Sequence, residues 1–180
     1  KKNLLFFGLI RDYKGLDLLI EAMGYLDDSY RLIIAGESYG SFDKYQEQIA
    51  SLVAKNPSLA ERIVIFNRYI DDYEVPAFFS ASDLCVLPYK SATQSGITAI
   101  SLHFKLPVVV TRTGGLEETV GEPGIGILAD EISAKGIVRA IESYFGHPDN
   151  SIFVENIRKV KESTSWTSFA KALVDFHKTL

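Results

Sequence analysis

The sequence predicts an α/β fold, a mostly parallel sheet of about six strands sandwiched between helices on both faces. Three observations predict it. Short apolar runs rich in β-branched and aromatic residues recur along the 180 residues. Stretches with helical apolar spacing fall between them. The runs are apolar without alternation, as strands covered on both faces must be, and such strands pair in parallel through right-handed helical crossovers.

Taken in order, the first run covers 4–7, and Leu16, Leu19, Ile20 and Met23 then share one face of a helix. A second strand at 31–35 precedes a helix over 43–54, and a third at 63–66 precedes one over 75–80. The fourth strand, 84–87, leads into a helix over 97–104. Strands at 108–111 and 125–128 follow. Helices over 132–144 and 165–177 come after the last strand with no strand between them, so the C-terminal portion should be a helical appendage on the sheet. No repeat, linker or low-complexity segment divides the chain, and 1–180 reads as one domain.

Composition narrows the function classes. A formal net charge of -4 gives no global basic field for nonspecific binding to nucleic acid or membrane, so any anion site must be local. The single cysteine, Cys85, lies in an apolar run and reads as a buried strand residue, compatible with the cytoplasm. No apolar stretch approaches the roughly 20 residues of a membrane span. The chain opens almost directly on a strand, which suggests a domain boundary with sequence upstream. His103, His147 and His177 lack partners at metal-ligand spacing, so no metal site is expected. The aromatics Phe42, Tyr45, Phe78, Phe79, Tyr144, Phe145, Trp166, Phe169 and Phe176 read as core or interdomain packing.

In an open parallel sheet the ligand lies beyond the carboxyl ends of the strands, so the strand-to-helix loops carry the chemistry. The first loop, from Gly8 to Gly15, sets Arg11 and Lys14 between a strand end and a helix start. A forked guanidinium and a compact ammonium together can neutralise a diphosphate, although solvated loop charges would look the same. The loop after the fourth strand runs Pro88-Tyr89-Lys90-Ser91-Ala92-Thr93-Gln94-Ser95-Gly96. There Ser95 and Gly96 are candidate backbone donors to phosphate, or simply a helix cap. Gly114 and Gly115 after the fifth strand permit close approach to a ligand or a tight turn. Arg68 and Tyr69 after the third strand offer a surface for a base, or a plain connection.

Together these loops resemble the C-terminal domain of retaining GT-B glycosyltransferases that use nucleotide-diphosphate sugars, a Rossmann-like three-layer sandwich. The segments are Gly8 to Gly15 with the helix through Ala22, Ala35-Gly36-Glu37, Ala81 to Pro88, Pro107 to Thr111 with Gly114, Gly115 and Glu118, and Trp166 opening the last helix. The resemblance implies a UDP-, GDP- or ADP-sugar donor, its diphosphate between Arg11, Lys14 and Ser95-Gly96, its base near Arg68 and Tyr69. Arg11 and Lys14 would stabilise the departing diphosphate. Gly8, Gly114, Gly115 and Glu118 complete the implied donor site. A saccharide or lipid-linked acceptor would come through an N-terminal domain, no cofactor or metal is implied, and the isolated chain should bind without turnover. The full-length protein would work in the cytoplasm, whether or not at the inner face of a membrane.

Two departures stand out. Many relatives carry two glutamates seven residues apart where this chain has Ala92 and Ile100, leaving Thr93, Gln94 and Ser95 to supply polar contacts. Many also place an arginine directly after the first glycine, where this chain has Leu9. A catalytically inactive nucleotide-sugar-binding or scaffold domain is therefore the alternative. A sugar-nucleotide-dependent transferase or epimerase of the same architecture is a nearer one. No Gly-x-Gly-x-x-Gly follows the first strand and no Gly-Lys-Ser/Thr phosphate loop exists, which disfavours dehydrogenases and phosphoryl-transfer enzymes.

Overall fold

The computed structural model describes residues 1–178. Six strands form one wholly parallel sheet: β1 (Lys2–Phe7), β2 (Tyr30–Ala35), β3 (Ile63–Phe66), β4 (Leu84–Leu87), β5 (Val108–Thr111) and β6 (Gly126–Ala129). Their order across the sheet is β3-β2-β1-β4-β5-β6. The chain thus works outward from β1 on one side, then returns to lay β4 against the other side of β1. Between β1 and β4 the winding reverses, and the loops leaving those two strands stand next to each other.

Side chains of successive strand residues enter opposite cores. Leu4 and Phe6 join Leu32, Ile34, Val86 and Val109 on one face, covered by α1 (Leu16–Met23), α2 (Asp43–Lys55) and α6 (Ala134–Phe145). Leu5 and Phe7 join Ala35, Cys85, Leu87, Val108 and Val110 on the other. That face is covered by α4 (Val75–Ser80), α5 (Gly96–His103) and α7 (Ser151–Ser163). Both faces are dry, which is why the strands read as unbroken apolar runs. Cys85 is buried, and burial pushes its thiol up to about 12, so it is no thiolate nucleophile.

Three helices, not two, follow β6. The expected pair is α6 and α8 (Trp166–His177), and α7 lies between them, seated by Phe153 and Ile157. A short α3 (Leu59–Arg62) is also present, fastened by the buried Arg62, which donates to the carbonyls of Leu26 and Tyr30 and pairs with Asp28. Of the aromatics expected to pack, Phe42, Tyr45, Phe79 and Tyr144 are buried, and Phe78 and Phe145 lie against the cores. Trp166, Phe169 and Phe176 are exposed on α8, none of whose residues is buried.

Candidate functional site

The chain leaves β1 at Gly8, and Ile10 anchors the loop by bonding to Glu37 and Tyr39 through its backbone. A single 3-10 turn, Asp12–Lys14, follows, and Gly15 closes it with φ 69° before α1 begins. This turn separates the two expected cations. Arg11 is exposed, with its guanidinium 4.6 Å from the centre of the Tyr39 ring. Lys14 is only 8% exposed. Neighbouring lysines are spoken for, Lys44 by Asp12 and Lys90 by Asp17. Among the described residues no carboxylate pairs with Lys14. Its pKa lies below the ordinary lysine value, chiefly because burial penalises the ammonium and secondly because of the Arg11 charge nearby.

Across the switch point, α5 begins at Gly96. Ser95 occupies the N-cap position with extended backbone, but its side chain makes no capping bond. The Thr98 N–H bonds to the Ser95 carbonyl, while the helix itself offers no acceptor to the N–H groups of Gly96 and Ile97. A Cβ added at Gly96 would meet nothing within 4 Å, so this helix end faces open space. The two halves meet at Gly8. A Cβ there would lie 3.0 Å from the Ile97 side chain and 3.4 Å from the Lys14 ammonium nitrogen. An unpaired buried cation and an uncapped helix N-terminus therefore converge on one bare glycine, an arrangement suited to an anion.

Beside Gly8 opens a largely apolar cavity of about 360 Å³ lined by Phe7, Leu9, Gly36, Glu37, Tyr69 and Ile70. Of the two residues expected near a base, Tyr69 lines this cavity and Arg68 does not. Its guanidinium turns outward onto Glu74, with bonds of 2.6 and 2.7 Å, and lines a separate groove at the sheet edge. The pair diverges at a bend after β3, where the Arg68 N–H bonds back to the Phe66 carbonyl.

Gly114 and Gly115 pack against the loop after β4. A Cβ at Gly114, whose φ is 49°, would lie 1.8 Å from the Ala92 carbonyl oxygen, and the Gly115 N–H bonds to the Thr93 carbonyl. The diglycine thus sets the height of the Ala92-Thr93 segment, leaving the Thr93 and Gln94 side chains exposed. Glu118 is exposed on a π-helical turn, Glu117–Gly121, and lines a shallow acidic groove with Glu117 and Glu122 away from the cavity beside Gly8. Ile100 packs against the apolar core. Tyr89, which sequence reasoning passed over, lies buried under the junction of the two loops. Its position directly behind a fully buried strand was the available signal.

The lowered pKa of Lys14 has a measurable sign. Between that lowered value and the ordinary value near 10.4 the unfolded chain binds more protons than the folded one, so this residue's effect on stability becomes more favourable as pH rises. In urea titrations the wild-type chain is expected to be less stable than Lys14→Met at about pH 7, with the gap narrowing at about pH 10. A gap of equal size at both would show that the charge is not strained in the fold.

An open parallel sheet with its crevice at the reversal point, a basic turn on one lip and a free helix N-terminus on the other define a doubly wound α/β domain. The chain belongs to the glycosyl transferases group 1 family, whose profile matches residues 1–147. It is similar to an uncharacterized glycosyltransferase of Methanocaldococcus jannaschii, 26% identical over 163 residues that cover 90% of this chain and 44% of the relative. It is also similar to a glycogen synthase of Francisella tularensis, 26% identical over 195 residues covering all of this chain and 38% of the relative. The chain thus spans less than half the length of these relatives. Among solved structures, Anabaena HepE in complex with UDP-glucose superposes with a TM-score of 0.78 at 15% identity, over 99% of this chain and 49% of that one. Among the described residues no helix is long and apolar enough to cross a membrane.

Proposed function

We propose that this chain is the donor-binding domain of a glycosyltransferase, holding a nucleotide-diphosphate sugar at the crevice between β1 and β4. The observation that carries this reading is Lys14, a lysine 8% exposed and, among the described residues, without a carboxylate partner, set against the uncapped start of α5. Leaving a charge so placed is costly unless a ligand supplies the counter-charge. The diphosphate would lie between Lys14 and the N–H groups of Gly96 and Ile97, with Arg11 swinging in from Tyr39. The base would enter the cavity formed by Tyr69, Ile70, Gly36 and Glu37. Family membership supports a sugar as the group transferred, and UDP, which the Anabaena protein binds as UDP-glucose, is the first nucleotide to try.

On departure of the nucleotide the bridging oxygen gains negative charge, and Lys14 and Arg11 would stabilise it without reorganising. Attack on the face the nucleotide leaves would retain the sugar's configuration. An acceptor, saccharide or lipid-linked, would be presented by a second domain, so this chain alone should bind without transferring. A second reading is a domain of the same fold that binds donor but does not transfer it. It is favoured by Ala92 and Ile100, neither of which can hydrogen-bond a sugar through its side chain.

Calorimetric titration with UDP, GDP and ADP, alongside the Arg11→Ala, Lys14→Ala double variant, tests the proposal. One nucleotide is expected to bind to the wild-type chain and not to the variant. No binding of any of the three at millimolar concentration, or equal binding to the variant, would overturn it.

A further inference from the structure

We propose that Tyr89 is a positioning residue for the anion site: by engaging the Ser95 hydroxyl it keeps the N-terminus of α5 uncapped and open to a diphosphate. This rests on the donor-binding reading of Lys14 and α5. An N-cap serine ordinarily turns its oxygen back onto the N–H two or three residues on. Ser133 does so for α6, accepting from the Gly136 N–H at 3.0 Å, and Ser165 for α8, accepting from Ser168 at 3.2 Å. Ser95 has a similarly extended backbone, but its hydroxyl is bonded at 3.2 Å to the Tyr89 hydroxyl instead.

Tyr89 is well placed to hold that bond. It is 3% exposed, and its carbonyl accepts from the Thr111 hydroxyl. Tyr13 packs edge-on against its ring with centroids 6.1 Å apart, and the Lys14 ammonium lies 5.8 Å from the ring centre. The next residue, Lys90, donates its N–H to the Tyr13 carbonyl at 2.7 Å and pairs its ammonium with Asp17 at 2.6 Å. The ring is thereby fixed between the basic turn and α5. Burial pushes the phenol up to about 12, so its hydroxyl keeps its proton at neutral pH. Were Ser95 released, its oxygen would turn onto the Ile97 N–H, one of the two donors left to a phosphate oxygen, and protein and ligand would compete for it.

The test uses Tyr89→Phe, Ser95→Ala and their combination in the full chain. Affinity is measured for inorganic pyrophosphate and for UDP, GDP and ADP, together with hydrogen exchange of the Ile97 and Thr98 amides without ligand. Tyr89→Phe is expected to weaken binding about fivefold, the fold-change that corresponds to a typical serine cap. Made on top of Ser95→Ala it should cause less than about a twofold further loss. In the ligand-free chain Tyr89→Phe should slow exchange of Ile97 as the cap forms, with Thr98, already bonded to the Ser95 carbonyl, as the internal reference. Equal losses in both backgrounds, no loss, or unchanged exchange would overturn the proposal while leaving the donor-binding reading in place. If the wild-type chain binds none of the four compounds, that reading falls. The exchange data then decide by themselves whether Tyr89 withholds the cap.

Discussion

Replacing Lys14 with methionine is expected to weaken nucleoside-diphosphate binding by at least about 100-fold while making the ligand-free chain more stable. Removing one partner of a desolvated, hydrogen-bonded charge pair costs about 2–5 kcal/mol of binding free energy, and 100-fold corresponds to about 2.7 kcal/mol. The exposed Arg11 should make up only part of the loss, because it is the Lys14 ammonium that lies against Gly8. The gain in stability has the same origin. Methionine fills nearly the volume of the lysine stem without carrying a charge into a buried position, so a rise of about 1 kcal/mol is expected. Calorimetry and urea titration read the two effects separately. A variant that binds as tightly as the wild-type chain would remove Lys14 from the donor site, and one that is less stable would mean that its charge is satisfied within the fold.

Gly15→Ala should be severely damaging, costing about 3 kcal/mol or more of folding stability. Gly15 combines a left-handed backbone, φ 69°, with close approach, because a Cβ there would lie 2.0 Å from the Pro88 carbonyl oxygen. The contact is backbone against backbone and cannot be relieved by a rotamer. It also joins the basic turn to the loop after β4, so forcing it apart separates Lys14 from α5. Gly40 provides the control. Its φ is 99°, but nothing lies within 4 Å of an added Cβ, so Gly40→Ala should cost only about 1–2 kcal/mol of backbone strain. Urea unfolding of the two variants checks this, and equal midpoints would show that Pro88 yields to the new methyl group.

The sheet was legible because burial on both faces leaves no ambiguity of period. Leu4 to Phe7, Leu84 to Leu87 and Val108 to Thr111 read as interior strands from their shortness and their β-branched and aromatic content, and all six candidates fell within two residues of their places. Helix α7 was missed although Phe153, Ile157 and Val160 are spaced by four and three, because the charges between them dilute the apolar face and only Phe153 and Ile157 are buried. The basic turn and the Ser95-Gly96 helix start were readable as positions in a loop. Their meaning was not. Whether a lysine is solvated or buried and unpaired depends on which strands are neighbours, and the placement of β4 beside β1 is a property of the winding rather than of either loop. For the same reason the pairing of Arg68 was not readable: its partner Glu74 lies six residues away in sequence, and a turn decides whether the two meet. At the diglycine, read as room for a ligand or as a tight turn, the group that comes close is the Ala92 carbonyl, which no local pattern could name.

The helix α8 has a practical bearing on how any of these measurements is made. It carries Trp166, the chain's one tryptophan, which is 85% exposed on a helix that buries no residue of its own. Its indole already has the environment of an unfolded chain. Intrinsic tryptophan emission will therefore change little when the sheet comes apart, and a flat fluorescence trace would be mistaken for resistance to denaturant. Circular dichroism, or the tyrosines Tyr30, Tyr45, Tyr89 and Tyr144 enclosed around the sheet, will report the loss of the core. Tryptophan emission will instead report the solvation of α8 alone.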